Sequence, residues 1–212
     1  MAAICIHALP QTQETPDHDA QLMLRAKRGD SDALGVLVAK YRAPIIRYVN
    51  RMVHDWTVSE DITQEVFLRV HRYRASYEVK AKFTTWLYRI AGHVTLNWIR
   101  DHAHANACEP LDVPRANGLR RYFVDGTIPI DQWLIYQREA AALRGALDLL
   151  PERQRRIVIL HKFEDRGCDE IARIMGCSHQ AVRSVLCRAY TALREILRDH
   201  PRAAGAAEGL TA

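Results

Sequence analysis

The sequence is poor in the residues that build disulfide-rich or turn-rich folds. Its 212 residues include 5 Cys, 10 Gly and 8 Pro, and no two Cys have the CxxC spacing. An odd number of scattered cysteines argues against a disulfide framework and fits a reducing compartment. With so few turn-forming residues, helices are expected rather than a fold of many short strands.

Long apolar runs are also missing. No stretch approaches the roughly 18 consecutive apolar residues that a membrane span needs, so no membrane insertion is expected. Residues 1–18 lack a basic n-region and are interpreted as a disordered tail rather than a signal peptide. A cytoplasmic protein is therefore expected. The net charge of +5 suits a nucleic-acid partner but is weak evidence alone.

Apolar residues recur at three- and four-residue steps over most of the chain, which predicts amphipathic helices. This pattern runs through residues 19–102 and again through 138–198. Residues 103–137 contain Pro and Gly and lose the periodicity, as a linker does, and the small, polar residues 199–212 are interpreted as a second disordered tail. The sequence thus predicts an all-α fold of two small helical domains joined by a flexible linker.

Capping residues predict several helix boundaries. Asp30 or Ser31 is the candidate N-cap of the second helix. A third helix is expected to start near Ser59, and a fourth to run from about Thr84 to His102.

The segment from Cys168 to Leu197 has the spacing of a helix-turn-helix. Asp169 is expected to cap its first helix, Gly176 to form the turn with a positive φ, and Ser178 to cap the second helix. Apolar residues of the second helix then face inward, namely Val182, Val185, Leu186 and Ala189. Its outward face is polar and basic, as in a helix that enters a major groove, and carries Ser178, His179, Gln180, Arg183, Ser184 and Arg188. An ordinary helical hairpin with a solvated basic face is the alternative.

Residues 61–101 combine two further features. Asp61, Gln64 and Glu65 share a polar helix face opposite an apolar one. Aromatic residues from Tyr73 to Trp98 are interleaved with Arg and Lys, which is the pattern that stacks unpaired bases while neutralising phosphates. Trp86 and Trp98 each fit core packing better than base stacking, whereas the loop residues Tyr77 and Lys80 fit a core less well.

Two segments resemble one family. DITQEVFLRV and FTTWLYRIAGHVTLNWIR resemble regions 2.2 to 2.4 of extracytoplasmic-function sigma factors, and the stretch from ALDLLPERQ to TALREIL resembles their region 4. The resemblance covers roughly residues 20–102 and 138–198. It implies a sigma factor that binds the β and β′ subunits of RNA polymerase core. Such a factor directs initiation at promoters whose −10 and −35 elements lie about two turns of DNA apart.

The resemblance also implies roles for individual positions. The docking helix on β′ would present Asp61, Gln64, Glu65 and Phe67. The −10 element would be bound by Tyr77, Lys80, Lys82, Phe83, Trp86, Arg89, His93, Asn97 and Arg100. The −35 element would be read by Ser178, His179, Gln180, Arg183, Ser184 and Arg188. Two positions depart from the family pattern: many members carry Asn where His93 stands, and Thr where Gln180 stands.

The same resemblance implies an anti-sigma factor as a further partner, and neither a cofactor nor a small-molecule substrate. Two rival functions stay open at this point. One is a stand-alone helix-turn-helix regulator of duplex DNA. The other is a metal hydrolase that uses His102, His104 and Cys108, although these residues lack the spacing of a known zinc site. We predict no metal site and no catalysis.

Overall fold

The computed structural model describes residues 17–103 and 140–198. The first helical group comprises α1 (His18–Lys27), α2 (Ser31–Val53), α3 (Trp56–Tyr73) and α4 (Phe83–Ala103), with a 3₁₀ turn at Arg74–Ser76. The second group comprises α5 (helical residues 140–148), α6 (Glu152–Lys162), α7 (Cys168–Met175) and α8 (His179–Arg198).

No strand occurs among the described residues, which agrees with the predicted all-α fold. Nearly all of the predicted tails and linker lie outside these residues, as do His104 and Cys108. The predicted N-terminal tail extends two residues too far, because Asp17 caps α1 and His18 begins it. Within residues 17–103 and 140–198, no helix combines the length and hydropathy that crossing a bilayer requires.

Aspartates begin the first three helices. Asp17, Asp30 and Asp55 each accept a hydrogen bond from the backbone N–H three residues further on. The donors are Ala20, Ala33 and Val58, at 2.7, 3.0 and 3.0 Å. The prediction of Asp30 as an N-cap is confirmed. The third helix begins at Trp56 rather than near Ser59, because Asp55 provides the cap and Ser59 is buried in the first turn.

The first helical group encloses a core of aromatic and aliphatic side chains that includes Tyr77. The ring of Tyr77 is only 2% exposed and lies edge-on to Trp86, with 5.0 Å between centroids. The interpretation that Tyr77 fits a core poorly is therefore wrong. The 3₁₀ turn folds the loop back over α1, where Lys27 Nζ donates to the Tyr77 carbonyl oxygen at 2.8 Å.

The second helical group contains the predicted helix-turn-helix in α7 and α8. Gly176 has φ +65°, the left-handed conformation that the turn requires. Ser178 Oγ accepts a hydrogen bond from the Ala181 N–H at 3.1 Å, so the predicted cap of α8 is confirmed. Asp169 does not cap α7. That helix follows Gly167, and Asp169 lies inside its first turn, where a carboxylate still complements the helix dipole. The four inward-facing residues of α8 are buried as predicted.

The two helical groups pack against each other, which the periodicity alone did not predict. α4 lies against α7, and α2 lies against α6. The buried apolar side chains of the two groups form one continuous cluster.

Candidate nucleic-acid and docking surfaces

Four polar residues form an exposed stripe along α4: Arg89, His93, Asn97 and Arg100. Their spacing of four, four and three residues keeps them on one side of the helix. At 1.5 Å per residue the stripe is about 17 Å long. The other sides of α4 are buried against the two groups, through residues such as Leu87, Tyr88, Ala91 and Val94. The α4 stripe therefore presents two arginines, one asparagine and one histidine to solvent.

His93 lies in the middle of the α4 stripe and is held neutral. Partial burial lowers its pKa below the ordinary histidine value, and the positive charges of Arg156, Arg89 and Arg100 lower it further. A neutral imidazole can both donate and accept hydrogen bonds. His93 is thus a polar reading group rather than a cation at neutral pH.

The loop before α4 and the first turn of that helix contain both buried aromatic rings and exposed lysines. Phe83 and Tyr77 are both buried, and Trp86 packs half-buried against them, with its centroid 6.1 Å from that of Phe83. Burial raises the pKa of Tyr77 to about 12. Lys80 and Lys82 point to solvent at either side of the turn, and Lys80 pairs with Glu78 at 2.5 Å. Of the aromatic residues assigned to −10 binding, only Trp86 keeps exposed ring surface.

α3 presents a second surface, which we call the α3 docking face: Asp61, Gln64, Glu65 and Leu68. Asp61 and Gln64 are exposed, and Glu65 is half-buried. Leu68 is 58% exposed, which is unusual for a large apolar side chain on a packed helix. Phe67 is half-buried and packs partly against the core, on the apolar side of α3 where the sequence pattern places it.

Leu68 was missed in the sequence. The feature that could have identified it is its position in the helical repeat. Leu68 follows Gln64 by four residues, so this apolar side chain lies on the polar side of α3 rather than on the buried side. An exposed leucine beside two acidic side chains is typical of a protein-binding surface, whose apolar centre is surrounded by polar groups.

α8 carries the third surface, the α8 reading face. All six residues predicted to read DNA are exposed on it, from Ser178 to Arg188. Arg188 Nε donates to the Ser184 carbonyl oxygen at 3.3 Å, and His179 lies 4.0 Å from Asp169. The Arg183 side chain is exposed and forms no ion pair within residues 17–103 and 140–198. The face is therefore available to a duplex.

Within residues 17–103 and 140–198, no three His, Cys, Asp or Glu side chains are placed to hold an ion. His102, which the hydrolase alternative would use, stacks on Trp98 with 4.1 Å between ring centroids.

An all-helical protein with a helix-turn-helix and a second exposed basic helix belongs to the DNA-binding proteins. Residues 37–105 match the family model "Sigma-70 region 2", and residues 140–193 match "Sigma-70, region 4". The RNA polymerase sigma-H factor of Pseudomonas aeruginosa is 32% identical over 87% of this chain and 96% of its own length. The ECF RNA polymerase sigma factor SigW of Bacillus subtilis is 30% identical over 82% and 94%. The chain belongs to the extracytoplasmic-function sigma factors of the sigma-70 family.

The solved structures agree with the fold. The structure of CnrH in complex with the cytosolic domain of CnrY covers 86% of this chain and 99% of that chain, with a TM-score of 0.65 and 21% identity. Membership of the family gives the function: the protein binds RNA polymerase core and directs promoter-specific transcription initiation through −10 and −35 elements. The relatives are transcription initiation factors rather than enzymes, so the regulator and hydrolase alternatives are not supported.

Proposed function

We propose that each of the three exposed surfaces binds a different target during transcription initiation. The α3 docking face binds the β′ subunit of the polymerase, the α4 stripe holds the melted −10 strand, and the α8 reading face binds the −35 duplex. The predicted linker, residues 103–137, serves as the tether between regions 2 and 4. The α4 stripe is the observation that carries most of this proposal, because its four polar side chains are exposed to solvent, away from the buried apolar cluster.

The chemistry of the α4 stripe fits a single strand. Arg89 and Arg100 would neutralise phosphates, while His93 and Asn97 can each donate to and accept from the edge of an unpaired base. Lys80 and Lys82 extend the positive surface at the start of the helix. Trp86 offers one stacking platform, which is worth about 1–3 kcal/mol per base.

Tyr77 and Phe83 take a different role in this proposal. Because both rings are buried, we assign them to holding Trp86 in place rather than to stacking on a base. The loop would have to rearrange before either ring could touch DNA.

The remaining expectations belong to the same proposal. The protein acts in the cytoplasm, has no catalytic activity of its own, and is held by an anti-sigma factor when inactive. The last point is supported by the solved structures of CnrH with CnrY and of RpoE with the anti-sigma factor NepR, which concern those proteins.

Run-off transcription with core polymerase tests the assignment of the α4 stripe. Arg89→Ala and Asn97→Ala should each lower promoter opening, detected by permanganate reactivity of the melted strand, while core binding stays unchanged. Arg153→Ala is the matched control, because Arg153 is equally exposed but lies on α6. Normal opening in both α4 variants would place the −10 contact elsewhere, and specific initiation without core would contradict the sigma-factor role.

A further inference from the structure

Tyr73, the last residue of α3, is an aromatic residue without a packing partner. It is 50% exposed, more than any other Phe, Tyr or Trp in residues 17–103 and 140–198. Within the same residues its ring makes no aromatic contact, whereas Tyr77 and Phe83 both contact Trp86. A large ring left in solvent forgoes the stabilisation that burial of an aromatic side chain gives. Tyr73 is therefore a candidate for binding something outside the protein.

The helical repeat would place Tyr73 inside the core. It follows Ile62 by eleven residues and Val66 by seven, so the three side chains share one side of α3. Ile62 and Val66 are buried, at 3% and 0% exposed, but the core ends before the last turn of the helix. Tyr73 thus continues the apolar side of α3 past the edge of the core, where its ring meets solvent.

The side of α3 that carries Tyr73 adjoins the α4 stripe. α3 packs directly against α4. Burial lowers the pKa of His93 on α4 most, and the charges of nearby arginines lower it further, among them Arg69, which lies one turn before Tyr73. Tyr73 also precedes Tyr77 by four residues across the 3₁₀ turn, about 8 Å at roughly 2.0 Å per residue, and Tyr77 contacts Trp86. Tyr73 therefore lies near the start of the α4 stripe.

The backbone at Tyr73 is fixed by local hydrogen bonds. Ser76 Oγ donates to the Tyr73 carbonyl oxygen at 2.9 Å, and the Tyr77 N–H donates to the Arg74 carbonyl oxygen at 3.2 Å. Arg74 Nη1 donates to the His71 carbonyl oxygen at 2.7 Å. A ring held by a fixed backbone loses less conformational freedom on binding than one on a mobile loop. Tyr73 is preorganised for a ligand, whereas Tyr77 would have to leave the core first.

The charge around Tyr73 favours a polyanion as that ligand. The single anion of residues 69–82, Glu78, already pairs with Lys80. The cations of this segment are Arg69, Arg72, Arg74, Lys80 and Lys82. The α3 docking face has the opposite charge, and Tyr73 lies about 120° around the helix from Asp61. An aromatic ring among cations is the combination that binds single-stranded nucleic acid, because the ring stacks on an unpaired base while the cations neutralise phosphates.

A second stacking ring also improves the energetics of strand binding. Taking a base out of the duplex costs free energy, and stacking on one ring returns a comparable or smaller amount. Trp86 is half-buried and is the one stacking platform assigned so far. Another ring a few nucleotides along the same strand would add a second favourable contact.

We propose that Tyr73 is a second base-stacking site for the melted −10 strand, which binds an unpaired base a few nucleotides from the one on Trp86. The proposal rests on the assignment of the α4 stripe to the −10 strand. It extends that site from α4 onto the end of α3, and its ligand is single-stranded DNA rather than a protein surface.

Holoenzyme reconstituted from core polymerase and the full chain tests the site on a forked promoter template whose −10 region is single-stranded. Tyr73→Ala should raise the apparent Kd for the fork about 5- to 150-fold, the range that corresponds to loss of one stacked base. Tyr73→Phe keeps the ring and should stay within about twofold of the wild type. Val36→Ala, on α2, is the matched control, because Val36 is an apolar residue of similar exposure, at 52%.

A scan of abasic sites along the unpaired strand identifies the stacked base. Removal of the base on Tyr73 should weaken binding by the wild type but cost Tyr73→Ala nothing further, so the two changes should be non-additive at one position. Tyr73→Leu, which keeps apolar volume without a ring face, should behave like Tyr73→Ala and decides the question if the alanine variant loses helicity. Additive effects at every position would overturn the proposal, as would equal losses in Tyr73→Phe and Tyr73→Ala.

Two further measurements separate this site from its neighbours. Tyr73→Ala should bind core polymerase with wild-type affinity. Weaker core binding together with normal fork binding would make Tyr73 part of a protein interface and overturn the proposal. Normal fork binding by Arg89→Ala and Asn97→Ala would instead contradict the assignment of the α4 stripe, and the abasic scan would still decide whether the Tyr73 ring stacks on a base.

Discussion

Arg69 Nε donates a hydrogen bond at 2.7 Å to Oε1 of Glu65, which lies one turn earlier in α3. The pair fixes the half-buried carboxylate within the α3 docking face, beside exposed Leu68. A charge held in one orientation loses less conformational freedom on binding than a mobile one. Arg69 is thus a positioning residue for Glu65.

Charge reversal on the α3 docking face should weaken binding to core polymerase. Asp61→Arg or Glu65→Arg is expected to raise the Kd tenfold or more, about 1.4 kcal/mol per tenfold, because a cation would replace an acidic contact. Leu68→Ala should also weaken binding through lost apolar area. Asp32→Arg, an exposed reversal on α2, controls for the change in net charge. Unchanged affinity in the three α3 variants, measured by fluorescence anisotropy, would move the docking surface elsewhere.

Arg183 on the α8 reading face should make a measurable contact with duplex DNA. If it contacts a phosphate, Arg183→Ala should lower the slope of log K against log salt by about one. If it reads a base, the loss should be about 1–3 kcal/mol and confined to one promoter position. Titration of −35 duplexes over a range of salt concentrations, with Arg153→Ala as the control, distinguishes the two cases. No loss in either measurement would mean that the face is assigned to the wrong side of α8.

Tyr77 should behave as a core residue. Tyr77→Ala is expected to destabilise region 2 by about 3–5 kcal/mol, as loss of a large buried ring does. Tyr77→Phe should leave stability within about 1 kcal/mol of the wild type, because its buried hydroxyl has no hydrogen-bond partner in the described part of the chain. Urea unfolding measures both changes. A functional loss in Tyr77→Phe without a loss of stability would show that the hydroxyl itself contacts DNA.

Local patterns in the sequence predict local structure well. The helical periodicity, the Asp30 and Ser178 caps and the positive φ of Gly176 all follow from interactions within a few residues. The exposed stripe on α4 follows from helical spacing in the same way. These features need no information about what packs against the helix.

The sequence does not predict features that depend on contacts between distant residues. Tyr77 looked like a loop aromatic because its core partner Trp86 lies on the next helix. No local pattern in the sequence marks Arg156 as buried, and its guanidinium lies against Gly92, a residue 64 positions away. Helical periodicity also predicts two separate domains, because it carries no information about polar contacts between one domain and the other. Leu68 is an intermediate case. Its position on the polar side of α3 can be predicted from helical spacing, but its role depends on a binding partner.

Replacement of Gly176 should lower the stability of the protein because of the backbone conformation alone. Its φ of +65° is left-handed, and no atom lies within 4 Å of an added Cβ. Gly176→Ala should therefore cost about 1–2 kcal/mol through backbone strain without any clash. Gly145→Ala, on α5 with equally open space and helical backbone, is the control and should be neutral or stabilising by up to about 1 kcal/mol. Thermal unfolding compares them, and equal melting temperatures would contradict the strain.

The pKa of His93 should respond to the charge of Arg156. Partial burial lowers the pKa, and the positive charges of Arg156, Arg89 and Arg100 lower it further. Arg156→Met should therefore raise the pKa toward the ordinary histidine value of about 6.5. A titration of the His93 ring protons by NMR in the wild type and in Arg156→Met measures the change, with Arg153→Met as the control.

The sign of the linked pH effect follows from the lowered pKa. The folded state favours neutral His93, so this contribution to stability is fully present above pH about 6.5 and decreases as the pH falls toward the lowered value, because the unfolded chain binds the proton first. Acidification should therefore lower the stability of the wild type more than that of a His93→Asn variant, which has no imidazole to protonate. A His93 pKa identical in Arg156→Met and wild type would show that the Arg156 charge does not reach the α4 stripe in solution.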